Sequence, residues 1–354
     1  MTAPSEIGLL RLVAQRVVGP RPSSAAEAVG LLTCVQAQDY PGALTSVALR
    51  TTERRRAGVE AALDAGEVVR SWPMRGTLHL TVAEDLPWLL SLLNVRLLAG
   101  RSARWAQLGL TEQIADRARE LVVAAMTGGS RLGRKQVLAA MADGGIDVAG
   151  QRGPHLLGYL SQTGLLCLGP RADGEQQFVL LEEWVPSPRR LDREAALAEF
   201  TARFFRGHGP ASVKDLARWG GLTLTDARAG LAAVRDELAR LDIEGTEHHL
   251  DPATPDLLAD CRAEACGTFL LPGFDEFVLG YGDRSGVLDP EHFQQIVPGN
   301  NGMFRPTVVH QGRIVGTWGW TGRGAKRTVT ATPFTAWPDG VQTRIPELAA
   351  VLPA

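Results

Sequence analysis

The stretch SVKDLARWGGLTLTDARAGLAAVRDELARLDIEGTEHHL, residues 212–250, indicates the fold more clearly than any other part of the chain. Ser212 and Asp215 suit the start of a helix. The glycine pair 220–221 favours its end, because glycine readily adopts the backbone conformation that follows a helix. A second helix and a hairpin turn near Gly245 are predicted to follow. Helix, glycine turn, helix and wing is the order typical of a winged helix–turn–helix unit.

The second helix of this stretch is predicted to be amphipathic and to begin at Thr225. Its apolar residues recur at alternating steps of four and three, which places them in one stripe. They are Ala227, Leu231, Val234, Leu238 and Leu241. Its exposed face offers mainly charged side chains, which suit DNA phosphates better than base edges. These are Arg228, Arg235, Asp236 and Arg240.

The same order of helices and hairpin is predicted twice more, nearer the start of the chain. In the second copy, helical patterns at 86–128, 134–141 and 154–163 precede a hairpin at 164–181. In the first copy, helices precede a strand pair that ends in RSWPMRGTLHLT, residues 70–81. Recurrence of one supersecondary unit indicates a tandem array.

From Cys266 onward the pattern changes to strands rich in aromatic and branched residues, with Gln311 and Gly312 as a predicted hairpin turn. The predicted fold class is therefore α+β, with three tandem winged-helix units followed by a β-rich C-terminal part. The predicted boundaries are 1–85, 86–190 and 191–265 for the winged-helix units and 266–354 for the β-rich part.

One helix of the first unit carries an amide on its apolar face. Ser24 and Glu27 have the spacing of a capping box, which predicts that this helix starts near residue 25. Its apolar face continues to Gln36. The helix is predicted to end between Gln36 and Tyr40, because the residue before a proline avoids the helical region.

Gln36 and Gln38 are therefore candidate functional residues. An unpaired buried amide costs about 1–3 kcal/mol, so Gln36 needs a partner, and a ligand is one possibility. At a helix end the two amides can converge on one cleft. The structural alternative is that they bridge open backbone groups where two helices meet.

Composition bounds the classes of function. The chain has 354 residues, of which 45% are apolar and 21% charged, and a formal net charge of −2. These are globular values, and they disfavour a uniform nucleic-acid coat. All but three of the 37 basic residues are arginine; the arginine fork suits phosphates, although compositional bias is the alternative. No apolar run of about 18 residues or signal-peptide pattern is present, so a cytoplasmic protein without membrane contact is expected.

The sequence predicts no cofactor and no metal. The four cysteines suit reduced thiols, and a zinc site of Cys261 and Cys266 with His248 and His249 is disfavoured by its ligand spacing. Glycine-rich phosphate loops, HExxH, EF-hand loops and GxSxG motifs are absent from the sequence.

Acidic pairs in the sequence are not distinctive as acid/base catalysts. Asp275 and Glu276 of the FDEF stretch, and Asp283 beside Arg284, are interpreted as residues of structural turns and salt bridges.

Basic residues on predicted hairpins are candidate DNA contacts. They are Arg75 and His79 in the first unit, and Arg313, Arg323, Lys326 and Arg327 in the β-rich part. The last three form the densest basic cluster on a predicted protrusion, the turn TGRGAKRT at 321–328. A solvated turn, and a histidine that faces solvent, are the structural alternatives.

Five motifs occur together in the order of a known family. They are VQAQDYPGAL (35–44), RSWPMRGTLHLT (70–81), GPASVKDLARWGGL (209–222), LLPGFDEFVLGYGDR (270–284) and GRIVGTW (312–318). In these motifs, over nearly its whole length, the chain resembles the AlkZ-type DNA glycosylases. The resemblance implies three winged-helix units in a C-shape around a DNA channel.

The family's active-site signature is glutamine, an apolar residue and glutamine, which here are Gln36, Ala37 and Gln38. A sister branch that processes simpler alkylated purines has aspartate at the second polar position. Here Asp39 stands one place later, as a candidate auxiliary residue. The resemblance implies excision of bulky N7-alkylguanine from double-stranded DNA, and unhooking of interstrand cross-links, in DNA repair or self-resistance to a genotoxin.

The chemistry of the two amides agrees with this activity. N7-alkylated guanine leaves as a neutral base, so the main task is to orient a water at the sugar, and Gln36 and Gln38 are expected to hold it. The nearest lysine in sequence number is Lys135, so excision without a Schiff base is expected, by a monomer. The alternatives are a winged-helix regulator without catalysis and a damage-binding protein.

Overall fold

The computed structural model describes residues 6–172, 174–322 and 327–353, which divide into two units. Unit 1 combines Met1–Val59 with Leu197–Ala354, and unit 2 is Glu60–Ala196. Helices and strands are mixed in the chain, so the predicted α+β class is confirmed. The boundaries of three winged-helix units stay a prediction.

The helices are numbered in chain order. They are α1 (Ile7–Ala14), α2 (Ala25–Leu32), α3 (Tyr40–Leu49), α4 (Arg56–Asp64), α5 (Leu86–Leu93), α6 (Val95–Ala99), α7 (Ser102–Leu108), α8 (Glu112–Met126), α9 (Arg134–Asp143), α10 (Arg152–Gln162), α11 (Leu181–Trp184), α12 (Arg193–His208), α13 (Val213–Gly220), α14 (Leu224–Val234), α15 (Thr254–Ala265), α16 (Glu276–Leu279), α17 (Phe293–Ile296) and α18 (Val341–Ala350). Within the described ranges, no helix combines the length and apolar character needed to cross a membrane.

The strands are numbered in the same way. They are β1 (Val35–Gln36), β2 (Val68–Met74), β3 (Thr77–Val82), β4 (Leu166–Ala172), β5 (Glu175–Leu180), β6 (Ala239–Ile243), β7 (Thr246–Leu250), β8 (Thr268–Leu271), β9 (Thr307–His310), β10 (Arg313–Thr321) and β11 (Thr328–Pro333).

In unit 1, helices α13 and α14 and the β6–β7 hairpin form the predicted helix–turn–helix with a wing. Ser212 and Asp215 form a reciprocal capping box at the start of α13. Gly221 follows the helix with φ of 69° in the left-handed region, as the glycine pair predicts. The start and end of α13 therefore follow from local sequence signals.

The second helix of this stretch is shorter than predicted. Thr223, not Thr225, caps α14, and the helix ends at Val234. A 3₁₀ turn follows, and Leu241 lies in β6. The apolar spacing was misleading because a turn and a strand can also bury side chains at these intervals. Arg240 lies in β6 as well, so the predicted charged face is not one helical surface.

The C-terminal residues of unit 1 form a four-stranded antiparallel sheet in the order β11-β10-β9-β8. The predicted turn between β9 and β10 is present, and both Gln311 and Gly312 have positive φ, at 50° and 76°. Helix α18 packs against this sheet through Val341 and Ile345, beside the buried Trp318. The predicted β-rich part therefore has a hydrophobic core of its own.

Unit 2 contains the other two predicted hairpins, β2–β3 and β4–β5, joined through β2 and β4. One core cluster lies between the strands and helices α8, α9 and α10, where Met126, Val137 and Leu156 are fully buried. Helix α5 packs against β2 on another cluster. The strand pairs predicted from sequence are confirmed.

Candidate active site

Helix α2 starts as predicted but ends early. The Ser24 hydroxyl accepts a hydrogen bond from the Glu27 amide at 3.1 Å, whereas the Glu27 carboxylate accepts from the Ser23 amide rather than closing a capping box. The helix ends at Leu32, and Thr33 follows with φ of 65°.

The prediction that this helix reaches Gln36 was therefore wrong. The Cys34 amide donates to the Leu32 carbonyl at 2.7 Å, and the chain is extended by Val35 and Gln36, which form β1. Positive φ is strained for a β-branched residue, so local spacing could not signal a break at Thr33.

Gln36 is buried and its polar groups are placed in three different ways. It is 7% exposed, and its amide N–H donates to Oε1 of Glu276 at 3.2 Å. Its side-chain Oε1 accepts a hydrogen bond from the main-chain N–H of Gln38 at 2.8 Å. Its Nε2 makes no hydrogen bond to any residue that the structure describes. The side-chain carbonyl of Gln36 thus stabilises the turn, while its side-chain nitrogen, Nε2, is free to bind a ligand.

Gln38 and Asp39 lie exposed at the end of this turn, where α3 begins. Pro41 is the second residue of α3. Within residues 6–172, 174–322 and 327–353, the Asp39 carboxylate makes no hydrogen bond or ion pair. It lies directly over Gly42, where an added Cβ would be 2.5 Å from Oδ2. Two side-chain amides and a carboxylate therefore lie within four consecutive residues, and of these the Gln36 Nε2 and the Asp39 carboxylate have no partner among the described residues.

Glu276 is the residue that anchors the main chain of Gln36. Its side chain is fully buried, and its Oε2 accepts a hydrogen bond from Nε1 of Trp219 at 2.8 Å and lies 3.4 Å from Nε2 of His208. Three elements distant in sequence thus converge on one carboxylate. A buried carboxylate needs this number of donors to offset the loss of its hydration.

Asp275 forms a separate and wholly buried ion pair with Arg50 of α3. Two hydrogen bonds of 2.9 Å join the guanidinium to the two carboxylate oxygens, and Ser46 donates to Oδ2 at 2.7 Å. Burial by itself raises the pKa of Asp275, but Arg50, the Phe277 amide and Ser46 outweigh it and hold the pKa below the ordinary 3.8. The structural role expected for Asp275 is confirmed.

The ion pair continues into a buried polar network within unit 1. Arg50 donates to the carbonyl and Oε1 of Gln15 at 2.9 Å, Gln15 donates to the Tyr281 hydroxyl, and that hydroxyl donates to the His208 carbonyl. Because His208 also contacts Glu276, the network returns to the carboxylate under Gln36. The loop that supports the Gln36 turn is thus fixed on both sides.

Asp283 and Arg284 do not form the salt bridge expected from their adjacency. Asp283 accepts from the Ser285 amide at 2.9 Å, which is the largest cause holding its pKa below the ordinary value. Arg284 donates to the carbonyl of Val278 at 2.8 Å. Burial lowers the pKa of Arg284 to about 10. Both residues stabilise the turn after α16.

The candidate DNA contacts of unit 2 lie together on the β2–β3 hairpin. Arg75 is exposed at the turn with φ of 54°. His79 is fully buried, so the alternative of a solvent-facing histidine is wrong. Its Nδ1 lies 2.9 Å from the Thr77 carbonyl and its Nε2 lies 3.3 Å from Nη2 of Arg75. The histidine therefore braces the arginine.

The basic candidates of the β-rich part are not equivalent. Arg313 is 2.5 Å from Oδ1 of Asp289, so its charge is paired. Arg327 is exposed and stacks with its Cζ 4.2 Å from the ring centroid of Trp320. Arg323 and Lys326 lie outside the described residues. None of these DNA-contact roles is tested by the geometry.

Two residues of this site were not identified as functional from sequence. Glu276 was interpreted as part of a turn, and the partner of Asp275 was not assigned to Arg50. Both contacts join residues more than 200 positions apart, so only the burial of two acids among aromatic residues could have signalled them. No cluster of three or more metal-ligating side chains exists among the residues described.

Comparison with known proteins places this geometry in a family. A family model described as DNA glycosylase AlkZ-like matches residues 29–352. An interstrand DNA cross-link repair glycosylase of Streptomyces sahachiroi is 30% identical over 310 residues, which cover 83% of this chain and 82% of that protein. A solved structure, the S. sahachiroi DNA glycosylase AlkZ, aligns with a TM-score of 0.80 and 26% identity over 98% of this chain and 95% of that one.

Proposed function

The chain belongs to the AlkZ-like DNA glycosylase family, and we propose that it hydrolyses the N-glycosidic bond of N7-alkylated guanine in double-stranded DNA, including bulky adducts and interstrand cross-links. The observation that carries the proposal is the turn at 36–39. It combines a buried amide with a free Nε2 and an exposed amide and carboxylate. The enzyme acts as a monomer on DNA in the bacterial cytoplasm, and self-resistance to a genotoxin is one setting for it.

The reaction needs little proton transfer at the departing base. The N7-alkylated guanine is cationic, so when the bond between C1′ and N9 breaks, its electron pair neutralises the base. A water then forms a bond to C1′ and loses a proton. The catalyst must hold that water against the developing positive charge of the sugar, and positioning of this kind can account for several kcal/mol.

The turn offers a distinct role for each polar group. Nε2 of Gln36 donates a hydrogen bond to the water and fixes its place, while the side-chain carbonyl of Gln38 accepts a hydrogen bond from the water. Asp39 takes the proton or stabilises the sugar cation, because its carboxylate is exposed and unpaired within the described residues. Oε1 of Gln36 already accepts a hydrogen bond from the main-chain N–H of Gln38. It therefore fixes the backbone of Gln38 and does not bind the water.

Neutral amides suit a cationic substrate for a further reason. A carboxylate in each place would bind the cationic adduct strongly before reaction, and only additional binding of the transition state raises the rate. An exposed site also suits a bulky or cross-linked base, which cannot be enclosed in a tight pocket as a flipped base is.

The test is single-turnover release of 7-methylguanine from an alkylated duplex, together with alkali-labile abasic sites. Gln36→Ala and Gln38→Ala should each slow release by about 10²-fold or more, since a lost transition-state donor has effects of this order. Gln342→Ala, an exposed glutamine of α18, is the matched control. Unchanged rates in both site variants would end the proposal.

The finer parts of the proposal have their own measurements. A duplex with an N7–N7 guanine cross-link should yield separable strands on a denaturing gel. Borohydride should trap no covalent DNA complex, because no Schiff base forms. Binding of alkylated DNA without base release would instead identify a damage-binding protein.

A further inference from the structure

A large cavity of unit 1 is lined by residues outside the 36–39 turn. Its volume is about 680 Å³, which is typical of sites for small molecules. It is bounded by α1, the start of α13, the β6–β7 wing and the turn after α16. Its charged lining residues are Arg11, Lys214, Asp215, Arg218, Glu244, His248 and Asp283.

Arg11 is a buried cation on the wall of this cavity. It is 2% exposed, its Nε donates to the Pro210 carbonyl at 3.1 Å, and its Cζ lies 3.4 Å from the ring centroid of Tyr281. Nη1 is enclosed and, like Nη2, has no hydrogen-bond partner among the described residues. The pKa of Arg11 is lowered, because burial outweighs the opposing effects of Tyr281, Asp215 and Asp283. A fully enclosed guanidinium with unused donors is costly without an anion.

Two exposed cations of the cavity, Lys214 and Arg218, are also available to an anion. Lys214 is exposed and makes no hydrogen bond or ion pair within the described chain. Arg218 is exposed and donates to the Gly282 carbonyl at 3.2 Å through Nη1. His248 is half-buried, and its Nδ1 lies 3.0 Å from the Thr246 carbonyl. Lys214 and Arg218 thus offer unused donors beside Arg11, whereas the neutral His248 ring uses its one N–H on the Thr246 carbonyl and presents an acceptor at Nε2.

Two acidic groups of the lining, Asp215 and Asp283, already accept hydrogen bonds from the chain, and the third, Glu244, is exposed. Asp215 accepts from the Ser212 hydroxyl and amide through Oδ2 and from the Gly282 amide through Oδ1. Asp283 accepts from the amide of Ser285. Glu244 is exposed at the turn of the wing. The unsatisfied groups of the cavity are therefore mainly donors.

We infer that this cavity binds a phosphate group, held by Arg11 from the buried side and by Lys214 and Arg218 from the open side. A tetrahedral oxyanion accepts hydrogen bonds from several directions, so one phosphate can accept from Nη2 of Arg11, which is not among the enclosed atoms, and from the ends of Lys214 and Arg218. A carboxylate has only two oxygens and would leave more of these donors unused than a phosphate does. The phosphate is carried either by the DNA backbone or by a free phosphate ester.

The experiment measures phosphate binding without base excision. Calorimetric titration with inorganic phosphate, and with 2′-deoxyadenosine 5′-monophosphate, is carried out at constant ionic strength. Salt-dependent affinity for an undamaged duplex is measured in parallel. The variants are Arg11→Met, and Lys214→Met combined with Arg218→Met, which changes only exposed side chains. Lys135→Met is the matched control, because Lys135 is the second residue of α9 as Lys214 is of α13.

Two results support the site and identify the source of the phosphate. Free phosphate binding that weakens about tenfold or more in both variants supports a phosphate-ester site. Duplex affinity that falls in both variants, with a salt slope lower by about one, supports a backbone phosphate. If Arg11→Met does not fold, the exposed double variant decides. If neither phosphate nor duplex binding changes, the inference is overturned, whatever the excision rate.

Discussion

Two eight-residue helices of unit 1, α2 and α13, begin alike and end differently. In each, a serine hydroxyl accepts the amide three residues on, at 3.1 Å for Ser24 and 3.3 Å for Ser212. Helix α13 ends on Gly221, for which a φ of 69° costs little. Helix α2 ends on Thr33 at φ of 65°, which is strained for a β-branched residue.

The difference shows what sets each helix end. Local sequence is sufficient for α13. Contacts distant in sequence end α2. The main-chain N–H of Gln36 is bound by Glu276, and Asp275, which precedes Glu276 in the chain, is paired to Arg50 of α3. Strain at the end of α2 is thus compensated by buried contacts of the residues that carry the candidate catalytic amides.

The largest expected effect on stability comes from breaking the buried ion pair between Arg50 of α3 and Asp275. Asp275→Asn removes one charge of a pair that is 0% exposed on both sides and leaves Arg50 buried and unpaired. The free energy of unfolding should fall by about 3–5 kcal/mol, measured by urea denaturation. Asp289→Asn breaks an ion pair with Arg313 that is partly exposed, and should change stability by less than about 1 kcal/mol.

The same variant predicts a dependence on pH. Because the pKa of Asp275 is lowered in the folded state, its contribution to stability is present above the ordinary value of 3.8 and is lost as pH falls below it. Stability measured between pH 7 and pH 3 should decline less in Asp275→Asn than in the wild type. An equal decline in both proteins would contradict the role given to this pair.

A smaller effect is expected at the carboxylate that anchors Gln36. Glu276→Gln replaces one carboxylate oxygen by an NH2 group, which cannot accept from the Gln36 amide or the Trp219 indole, and should cost about 1–3 kcal/mol of stability. It should also lower the single-turnover excision rate, because the 36–39 turn loses its anchor. Trp219→Phe removes another donor to the same carboxylate and leaves the Gln36 contact in place. A rate that falls equally in Trp219→Phe would show a general structural effect instead of positioning.

The smallest effects should have opposite signs at the two helix ends. Gly221→Ala should destabilise by about 1 kcal/mol, because alanine is strained at positive φ. Thr33→Gly should stabilise by up to about 1 kcal/mol, since it relieves strain and removes a buried hydroxyl that has no partner among the described residues. Thermal unfolding of the two variants provides the measurement. Destabilisation by Thr33→Gly greater than by Gly221→Ala would show that Thr33 is not strained.

Much of the fold could be predicted because its signals are local. Caps, glycine turns and alternating strands identified α13, the hairpins and the Gln311–Gly312 turn. The end of α2 and the length of α14 could not be predicted, because contacts distant in sequence and a 3₁₀ turn set them. At the site, Gln36 was singled out by its predicted place on the apolar face of a helix; it is buried, but in β1, and its anchor Glu276 could be identified only from the fold.

The distance in sequence between Gln36 and Glu276 also has a consequence for synthesis. The carboxylate that fixes the turn is 240 residues downstream of it. At about 5–20 residues per second, a ribosome adds that carboxylate roughly 10–50 s after Gln36. A nascent chain that stops before it carries both amides without their anchor. The order of translation therefore delays assembly of the site until most of the polypeptide has been made.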